Sequence, residues 1–485
     1  KLLSQQEKNL PLNWKKKGTT GLKKKTEIKM SVIAEKTDLS LKYTAHYNEV
    51  KELLFNGSSD ILNAHRNKAF RDFVAQGIPS RKNENYKYTN LQPKFSPDYK
   101  FVHSKEETDA NLNEIFSCDV PQLNTHLTLL FNGWYYDKNV NEKNLPNGVI
   151  LDGLKSAAKN YPEIVQKYYS KLANTETDAM VALNTAFAKD GYFLYIPKDV
   201  IIENPIQIIN ILKAEEDTYS TQRNIVVVES GAQIQLIVCD HTLNLNQYLS
   251  NSVTEIFVAE NANMEYFTVQ NQHNKSGSIN SIFIQQERDS NATTHTVSLH
   301  GGLIRNNLKF VINGENAEAN MYGMAFLDRE QHIDNFTQVV HAKAHCQSNQ
   351  IYKYVLDDKS SGAFSGKIHV ARDAQKTNAF QRNNNILLSD QATMQTKPQL
   401  IIDADDVKCS HGATVGQIDE EALFYLRARG IDEDKARMMM MNAFAHEVIQ
   451  EIKIEALRER IDELIEKRLK GEVAHCHDCA YNCDC

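Results

Sequence analysis

The sequence predicts a mixed α+β protein, mainly β, with a strand-rich centre between two helical regions. Three observations predict this class. Residues 30–190 show mainly helical spacing of their apolar residues. Through residues 191–405, short runs rich in Val, Ile, Phe and Tyr alternate with Asn, Gly and Asp. Helical periodicity returns in residues 406–471, so we expect three successive regions with these boundaries.

The first 29 residues form a basic leader with nine lysines and two acidic residues. No apolar core separates its two lysine triplets, so it does not read as a secretory signal. We expect residues 1–29 to be disordered and not native to the mature protein. The alternative interpretation is a basic, disordered arm that touches anionic partners.

The amino-terminal region, 30–190, contains two helical blocks. Helical spacing covers residues 48–55 and 63–76, and Pro79 with its polar neighbours ends this first block. A second block covers residues 153–188. We therefore predict a mainly helical region before the strands begin.

The central region, 191–405, holds more than a dozen strand-like runs with no helical pattern of 10–15 residues between them. A doubly wound α/β fold needs crossover helices and is therefore disfavoured. A sandwich, a barrel and a parallel β-helix remain. Regular Asn-Gly hairpin turns are absent, which favours a solenoid whose coils bury their inner faces on one another.

The carboxy-terminal region, 406–471, reads as three amphipathic helices. Asp419 is a predicted N-cap, Gly430 follows the first helix, and Asp432 caps a second helix that we expect to reach about Ile454. A third helix is predicted to stop at Gly471. The predicted apolar face of the second helix consists of Ala436, Met439, Met440, Ala443, Phe444 and Ile452.

Composition narrows the functional classes. The net charge of −7 gives no indication of nucleic acid as a partner. No run approaches the ~20 apolar residues of a membrane span, so we expect no membrane association. Without a signal or a span, we expect a cytoplasmic protein. Four cysteines scattered singly through residues 118–409 do not resemble a disulfide framework.

Cys409 and His411 are the first candidate ligand pair. In an extended chain, residues two apart project to the same face, and both a thiol and an imidazole can ligate iron. The alternative is structural: Cys409 fills apolar space at a strand end, and His411 lies at the turn before Gly412.

A second candidate is the tail, residues 472–485, which we expect to be flexible. It is rich in Cys and His and could chelate Zn²⁺ or Fe²⁺ or carry sulfur. The alternative is a disordered tail without a metal. Its candidate ligands are Cys476, Cys479, Cys483 and Cys485.

Three segments resemble one family. Residues 404–431, which include Lys408-Cys409-Ser410-His411-Gly412, resemble the carboxy-terminal signature of SufD proteins in the SufB/SufD family of the SUF iron–sulfur cluster assembly system. Residues 77–91 resemble the amino-terminal motif, with Tyr86 where the family often has Trp. Residues 364–389 match the pattern of the family's solenoid.

The resemblance implies a right-handed parallel β-helix core and a role as a scaffold subunit of a SufB–SufC–SufD complex. It implies pairing with SufB as a heterodimer through the solenoid ends, with an iron–sulfur cluster forming at the junction. There His411 would act with a SufB cysteine, whereas the role of Cys409 stays open.

The resemblance also implies that the SufC ATPase docks on the helix after Asp419. ATP would act only through SufC, because Gly366-Lys367-Ile368 lacks the Ser or Thr of a phosphate-binding loop. We therefore expect a scaffold rather than an enzyme, holding a transient cluster shared with SufB; association of reduced flavin stays open. The predicted docking residues are Asp419, Leu423, Phe424, Leu426 and Arg429.

Two other functions are weighed against this one. The first is a SufB-like main cluster scaffold on the same fold. The second is a carbohydrate-active β-helix enzyme, which would need clustered carboxylates on a groove and usually a secretory signal. Acidic residues are sparse between Asn291 and Gln350, which disfavours the carbohydrate alternative.

Overall fold

The computed structural model describes residues 37–106, 123–136 and 145–470. The chain forms two compact units, residues 1–50 and 51–485. Of the first unit, only the beginning of helix α1 (Thr37–Phe55) is described. The predictions for residues 1–29 and 472–485 lie outside the described residues. Everything that follows concerns the second unit.

Helices lie at both ends of the second unit. No helix in the described ranges is both long enough and apolar enough to cross a membrane. After α1, they are α2 (Asp60–Gln76), α3 (Gln92–Phe95), α4 (Leu154–Asn160), α5 (Pro162–Tyr168), α6 (Ala179–Phe187), α7 (Glu420–Arg427), α8 (Glu433–Ile449) and α9 (Glu455–Leu469).

The strands follow one another closely along the chain, and those from β7 onward have 9–11 residues each. They are β1 (Lys100–Phe101), β2 (His126–Phe131), β3 (Trp134–Tyr136), β4 (Ile150–Gly153), β5 (Tyr192–Ile196), β6 (Ile206–Leu212), β7 (Thr218–Val228), β8 (Gln233–Thr242), β9 (Tyr248–Val258), β10 (Asn263–Asn271), β11 (Gly277–Gln286), β12 (Asn291–His300), β13 (Leu303–Ile312), β14 (Glu318–Leu327), β15 (His332–His341), β16 (Gln347–Leu356), β17 (Ser361–Val370), β18 (Asn378–Leu387), β19 (Thr393–Ile402) and β20 (Lys408–Gly416).

These strands form a parallel β-solenoid of about seven turns. Sheet A runs β19-β17-β15-β13-β11-β9-β7-β5-β4, with β1 beside β7, and sheet B runs β20-β18-β16-β14-β12-β10-β8-β6-β2-β3. Each coil gives one strand to each sheet. Neighbours are parallel except for β2–β3 and β4–β5, which are antiparallel and lie at the first coils. The predicted β-helix and the mixed, mainly β class are confirmed.

The interior is filled by side chains at alternate strand positions, because these point to one face of a sheet. Paired residues of successive coils stack on one another, so that each coil buries the apolar face of the one before it. One such stack in sheet A consists of Val226, Ile256, Ile284, Phe310, Val339, Ile368 and Leu400.

Helices cover part of the outer face of each sheet. Leu62 of α2 and Val165 of α5 pack with Ile225 on sheet A. On sheet B, Val448 of α8 and Ile461 of α9 belong to a buried cluster with strand residues such as Phe267. The carboxy-terminal helices are therefore fixed to the side of the solenoid by an apolar interface.

One predicted boundary needs correction. The region 30–190, which the sequence predicted to be mainly helical, also holds strands β2, β3 and β4, and these extend the two sheets. Strand β20 lies inside the region 406–471 but pairs with β18, so the solenoid continues past residue 405. The sequence predicted an extended chain at Cys409 and His411, but the boundary set at residue 405 left this segment outside the β-helix core.

The helix N-caps match the predictions, but the end of α8 does not. Asp419 Oδ1 accepts hydrogen bonds from the N–H groups of Glu421 and Ala422, and Asp432 Oδ1 accepts one from Asp434 N–H. Helix α8 ends at Ile449 rather than near Ile454.

The buried face of α8 is rotated from the predicted one. Met439 and Ala443 are exposed, although the sequence predicted them to be buried. Four consecutive methionines place an apolar side chain on every face of the helix, so periodicity could not select the buried one. The buried residues of α8 are Ala436, Met441, Ala445, Val448 and Ile449.

Candidate functional site at the open end of the solenoid

The last strand, β20, is an edge strand. Among the described residues it pairs only with β18, and no later coil covers it. Every residue of β20 is exposed except Cys409, which is half-buried. The backbone groups on its free edge and the inward face of its side chains are therefore open to another molecule.

The register places Cys409 and His411 on one face, as the sequence predicted for an extended segment. Cys409 pairs with Ala379 and His411 pairs with Gln381, and both partners are buried inside the solenoid. Paired residues in a parallel sheet point the same way. Cys409 and His411 therefore share the inward face of the last coil, which is open because no further coil follows.

The two side chains differ in exposure. Cys409 packs beside the small apolar cluster that includes Ile368 and Ala379, whereas His411 is exposed. Burial raises the pKa of the Cys409 thiol, although a hydrogen bond from the Ala379 backbone opposes this. The thiol is therefore protonated near neutral pH and needs a metal or a base to become a thiolate ligand.

The surroundings of this pair are part apolar and part polar. Val415 on β20 and Ile402 on β19 are exposed at the same open face. Gln381 donates from Nε2 to Gln350 Oε1 at 3.1 Å, while its own Oε1 is buried without a hydrogen-bond partner. Thr396 Oγ1 is also buried without one. The open face therefore combines exposed apolar side chains with buried polar atoms that still lack a hydrogen-bond partner.

Cys409 and His411 do not form a complete metal site within the described part of the chain. No group of three or more His, Cys, Asp or Glu residues that could hold a metal ion occurs there. Iron–sulfur clusters are held mainly by Cys thiolates, with four protein ligands in the common types. Two candidate ligands on an open edge therefore fit a site that another chain completes. The tail cysteines, Cys476, Cys479, Cys483 and Cys485, lie outside the described residues.

The predicted docking residues on α7 divide into buried and exposed groups. Asp419 caps the helix, and Leu423, at 2% exposure, packs with Ile418 and Ala436 in the interior. Leu426 is half-buried. Phe424, by contrast, is 72% exposed.

Two further exposed side chains lie beside Phe424. Arg429 places its guanidinium 4.0 Å from the ring centroid of Tyr425, which is also exposed. Docking by direct contact is therefore possible for Phe424, Tyr425 and Arg429, and Leu423 supports the helix from below. The sequence prediction did not include Tyr425, although its place beside Phe424 was a signal that it belongs to the same exposed group.

Two family models match the chain. The one described as the SufBD protein N-terminal region matches residues 37–208, and the one described as SUF system FeS cluster assembly, SufBD core domain, matches residues 210–444. The iron-sulfur cluster assembly protein SufD of Escherichia coli is 30% identical over 410 residues, which cover 83% of this chain and 92% of that protein. This chain belongs to the SufBD family.

Other members of the SufBD family show similar coverage. The SufD protein of Bacillus subtilis is 27% identical over 340 residues, covering 67% of this chain and 74% of that protein. A SufBD family protein of Synechocystis is 27% identical over 428 residues, covering 86% and 94%. The match to the SufBD core domain includes both β20 and α7. The solenoid is thus assigned to iron–sulfur cluster assembly rather than to carbohydrate chemistry.

Proposed function

We propose that this chain is a SufD-type scaffold subunit that pairs through its open solenoid end with a SufB-type subunit. A nascent iron–sulfur cluster forms at the junction, with His411 as this chain's ligand and Cys409 beside it. A SufC-type ATPase docks on α7, and the assembly works in the cytoplasm. The cluster is a transient cargo that the complex builds and passes on.

The observation that carries this proposal is the incomplete site on an unpaired edge. His411 and Cys409 supply two candidate ligands, both on the inward face of a strand with a free edge. A partner that pairs with this edge brings its own side chains to the same face. The ligand set can then be completed without any change inside this chain.

The two edge strands are not equally suited to pairing. Strand β19 contains Pro398, which lacks an N–H, and Lys397, and both residue types discourage pairing at an edge. Strand β20 contains no proline, and most of its side chains are small or polar. Strand β20 is therefore the preferred pairing edge, and it is the strand that carries His411.

The ATPase partner is supported by the exposed group on α7. Phe424, Tyr425 and Arg429 form an aromatic and cationic surface, a composition enriched where proteins bind one another. Gly366-Lys367-Ile368 lies in strand β17 rather than in a loop before a helix, so it is not a phosphate-binding loop. The proposal accordingly assigns ATP hydrolysis to the partner.

The SufD-type role is preferred to the SufB-type role. Two relatives that cover most of their own length carry the name SufD, those of Escherichia coli and Bacillus subtilis. The sequence from Lys408 to Gly416 also resembles the SufD signature. In a SufB-type role this chain would supply the acceptor cysteine, and Cys409, with its raised pKa and half-buried thiol, is poorly suited to that.

The test is anaerobic co-purification of the full chain with a SufB-type and a SufC-type protein from the same source, using a tag on this chain only. We expect a complex that contains all three. Retention of the SufB-type protein without the ATPase would contradict the assignment of α7 as the docking surface. Retention of neither, with this chain folded by circular dichroism, would contradict the scaffold function.

A further inference from the structure

The polar segment between α2 and α3, residues 80–91, has no part in the function derived so far. We call it the bridging segment. It contains the three-residue 3₁₀ turn Glu84–Tyr86 and lies against the outer face of sheet A. Its direct contacts reach β13, β15 and β19, and His332 on β15 extends them to β17; these are the last four strands of that sheet.

The first attachment is a buried ion pair under the bridging segment. Arg305 on β13 and Asp334 on β15 form the pair, and each side chain is 1% exposed. Arg305 Nη2 also donates to the carbonyl of Asn85 at 2.7 Å, and its guanidinium lies 4.6 Å from the ring centroid of Tyr86. A buried pair needs such added hydrogen bonds, so the segment and the pair depend on each other.

The second attachment is a hydrogen-bonded chain through Thr89. Thr89 Oγ1 donates to the Asp334 carboxylate and lies 2.7 Å from His332 Nε2. His332 Nδ1 lies 2.7 Å from Ser361 Oγ on β17. Burial lowers the pKa of His332, so the ring is neutral, with Nε2–H donating to Thr89 and Ser361 donating to Nδ1. The Thr89 hydroxyl thus contacts two side chains of β15, and one of them, His332, extends the hydrogen-bonded chain to β17.

The third attachment reaches the last strand of sheet A. Glu84 forms an ion pair with Lys397 on β19, and the Lys397 side chain is 28% exposed. Strand β19 has few other supports, because most of its residues are half-buried or exposed and no later coil covers it among the described residues. It is joined directly to β20, which carries His411.

We propose that the bridging segment positions the open end of the solenoid, with Thr89 and Glu84 as positioning residues for the surface that receives the partner. The segment fastens the last coils to one another from outside, where stacking from a following coil is missing. The part of this inference that concerns a partner rests on the proposed function. The part that concerns β19 does not, and it is measurable on the chain alone.

The first test uses Thr89→Val, which removes the hydroxyl and keeps the shape. The control is Thr125→Val, which removes a side-chain hydrogen bond to Gln207 at the opposite end of the solenoid. Amide hydrogen exchange in β17 and β19 should become about tenfold faster in Thr89→Val, with β6 and β8 unchanged. The dissociation constant for the SufB-type partner should rise by about the same factor. Thr125→Val should leave both readouts as in the parent chain.

A charge-reversal set keeps the proposal testable if Thr89→Val does not fold. Glu84→Lys and Lys397→Glu each place like charges together, and the double variant restores an opposite pair. Because the pair is partly exposed, each single change should speed exchange in β19 by only about threefold. The double variant should return it to the parent rate.

The outcomes separate this inference from the proposed function. Unchanged exchange in β17 and β19 for Thr89→Val and both single charge variants overturns the bridging role. Faster exchange in those strands supports the bridging role. If the parent chain then binds no partner, the proposed function is contradicted while the bridging role stands. Faster exchange with unchanged partner affinity overturns the claim that the segment positions the partner surface.

Discussion

His295 on β12 is a buried histidine without hydrogen-bond partners on either ring nitrogen. Its ring is stacked between Phe267, with centroids 4.6 Å apart, and Tyr322, with centroids 5.1 Å apart. Burial lowers the pKa of His295 to about 3. In this position the imidazole behaves as an aromatic core residue that is kept neutral, and it lies in the interface under the carboxy-terminal helices.

This histidine makes the folded state sensitive to acid. The unfolded chain binds a proton near pH 6.5, whereas the folded chain does not until about pH 3, so stability falls as pH drops below 6.5. His273, His300 and His341 act in the same direction, because burial lowers the pKa of each to about 4. Asp190 opposes them, since burial raises its pKa to about 6 and its stabilisation grows as pH falls from there towards 3.8.

Replacing His295 with Phe should therefore flatten the loss of stability in acid. Between pH 7.5 and pH 5, keeping the His295 imidazole neutral lowers the free energy of unfolding by about 2 kcal/mol. A phenyl ring in the same stack takes up no proton and avoids this loss. Thermal unfolding of the parent and the variant at pH 7.5, 6 and 5 measures it. The exposed His446→Gln should keep the parent's pH dependence. An equal loss of melting temperature in His295→Phe and the parent would contradict this account of the residue.

At the scale of single residues, sequence reasoning predicted the shared face of Cys409 and His411 but not their surroundings. The spacing of Cys409 and His411 was enough to place them on one face. It did not indicate that Cys409 would be half-buried and His411 exposed, because that depends on where the coils end. The contacts of Thr89 with Asp334 and of Arg305 with Asn85 could not be predicted either, because they join residues more than 200 positions apart in the sequence.

Among the elements, helix α7 divides its residues between the buried core and the exposed surface. Its N-cap and its end were read from Asp419 and Gly430, and Gly430 has the positive φ of 83° that favours glycine. The neighbours Leu423 and Phe424 face opposite environments. Residue type alone did not separate them, because both are large and apolar.

Truncating these two neighbours should have different effects. Leu423→Ala should lower the free energy of unfolding by about 2–4 kcal/mol, because it opens a cavity between α7, α8 and the end of β18. Phe424→Ala should change stability by no more than about 0.5 kcal/mol and should weaken ATPase binding at least about tenfold. Denaturant unfolding and titration calorimetry measure the two effects. Normal ATPase affinity in a folded Phe424→Ala would exclude this helix as the docking surface.

For the whole molecule, the solenoid could be favoured from the sequence, but its coils could not be counted. Gly277 pairs with Leu303, 26 positions later, whereas Ser361 pairs with Thr393, 32 positions later. Corner loops of different length absorb this variation, so no fixed repeat is visible. The strands could be predicted because the alternation of side chains within each coil is a local pattern. The length of one coil could not be predicted because it depends on the corner loops.

The two ends of the solenoid differ in how their strands pair. The first coils end in the antiparallel pairs β2–β3 and β4–β5, whereas β20 in the last coil pairs only with β18 among the described residues. A strand with a free edge can be extended by a strand from another chain. The central claim is that such a partner completes a cluster site around His411.

The most direct test of that claim is the iron and acid-labile sulfide content of the three-protein complex after anaerobic cluster assembly, compared between the parent and His411→Ala. The matched control is Ser410→Ala, which changes an exposed neighbour on the opposite face of β20. The account predicts an intact complex in all three cases, with iron and sulfide about tenfold lower only for His411→Ala. Parent levels of iron and sulfide in an intact His411→Ala complex would contradict the claim.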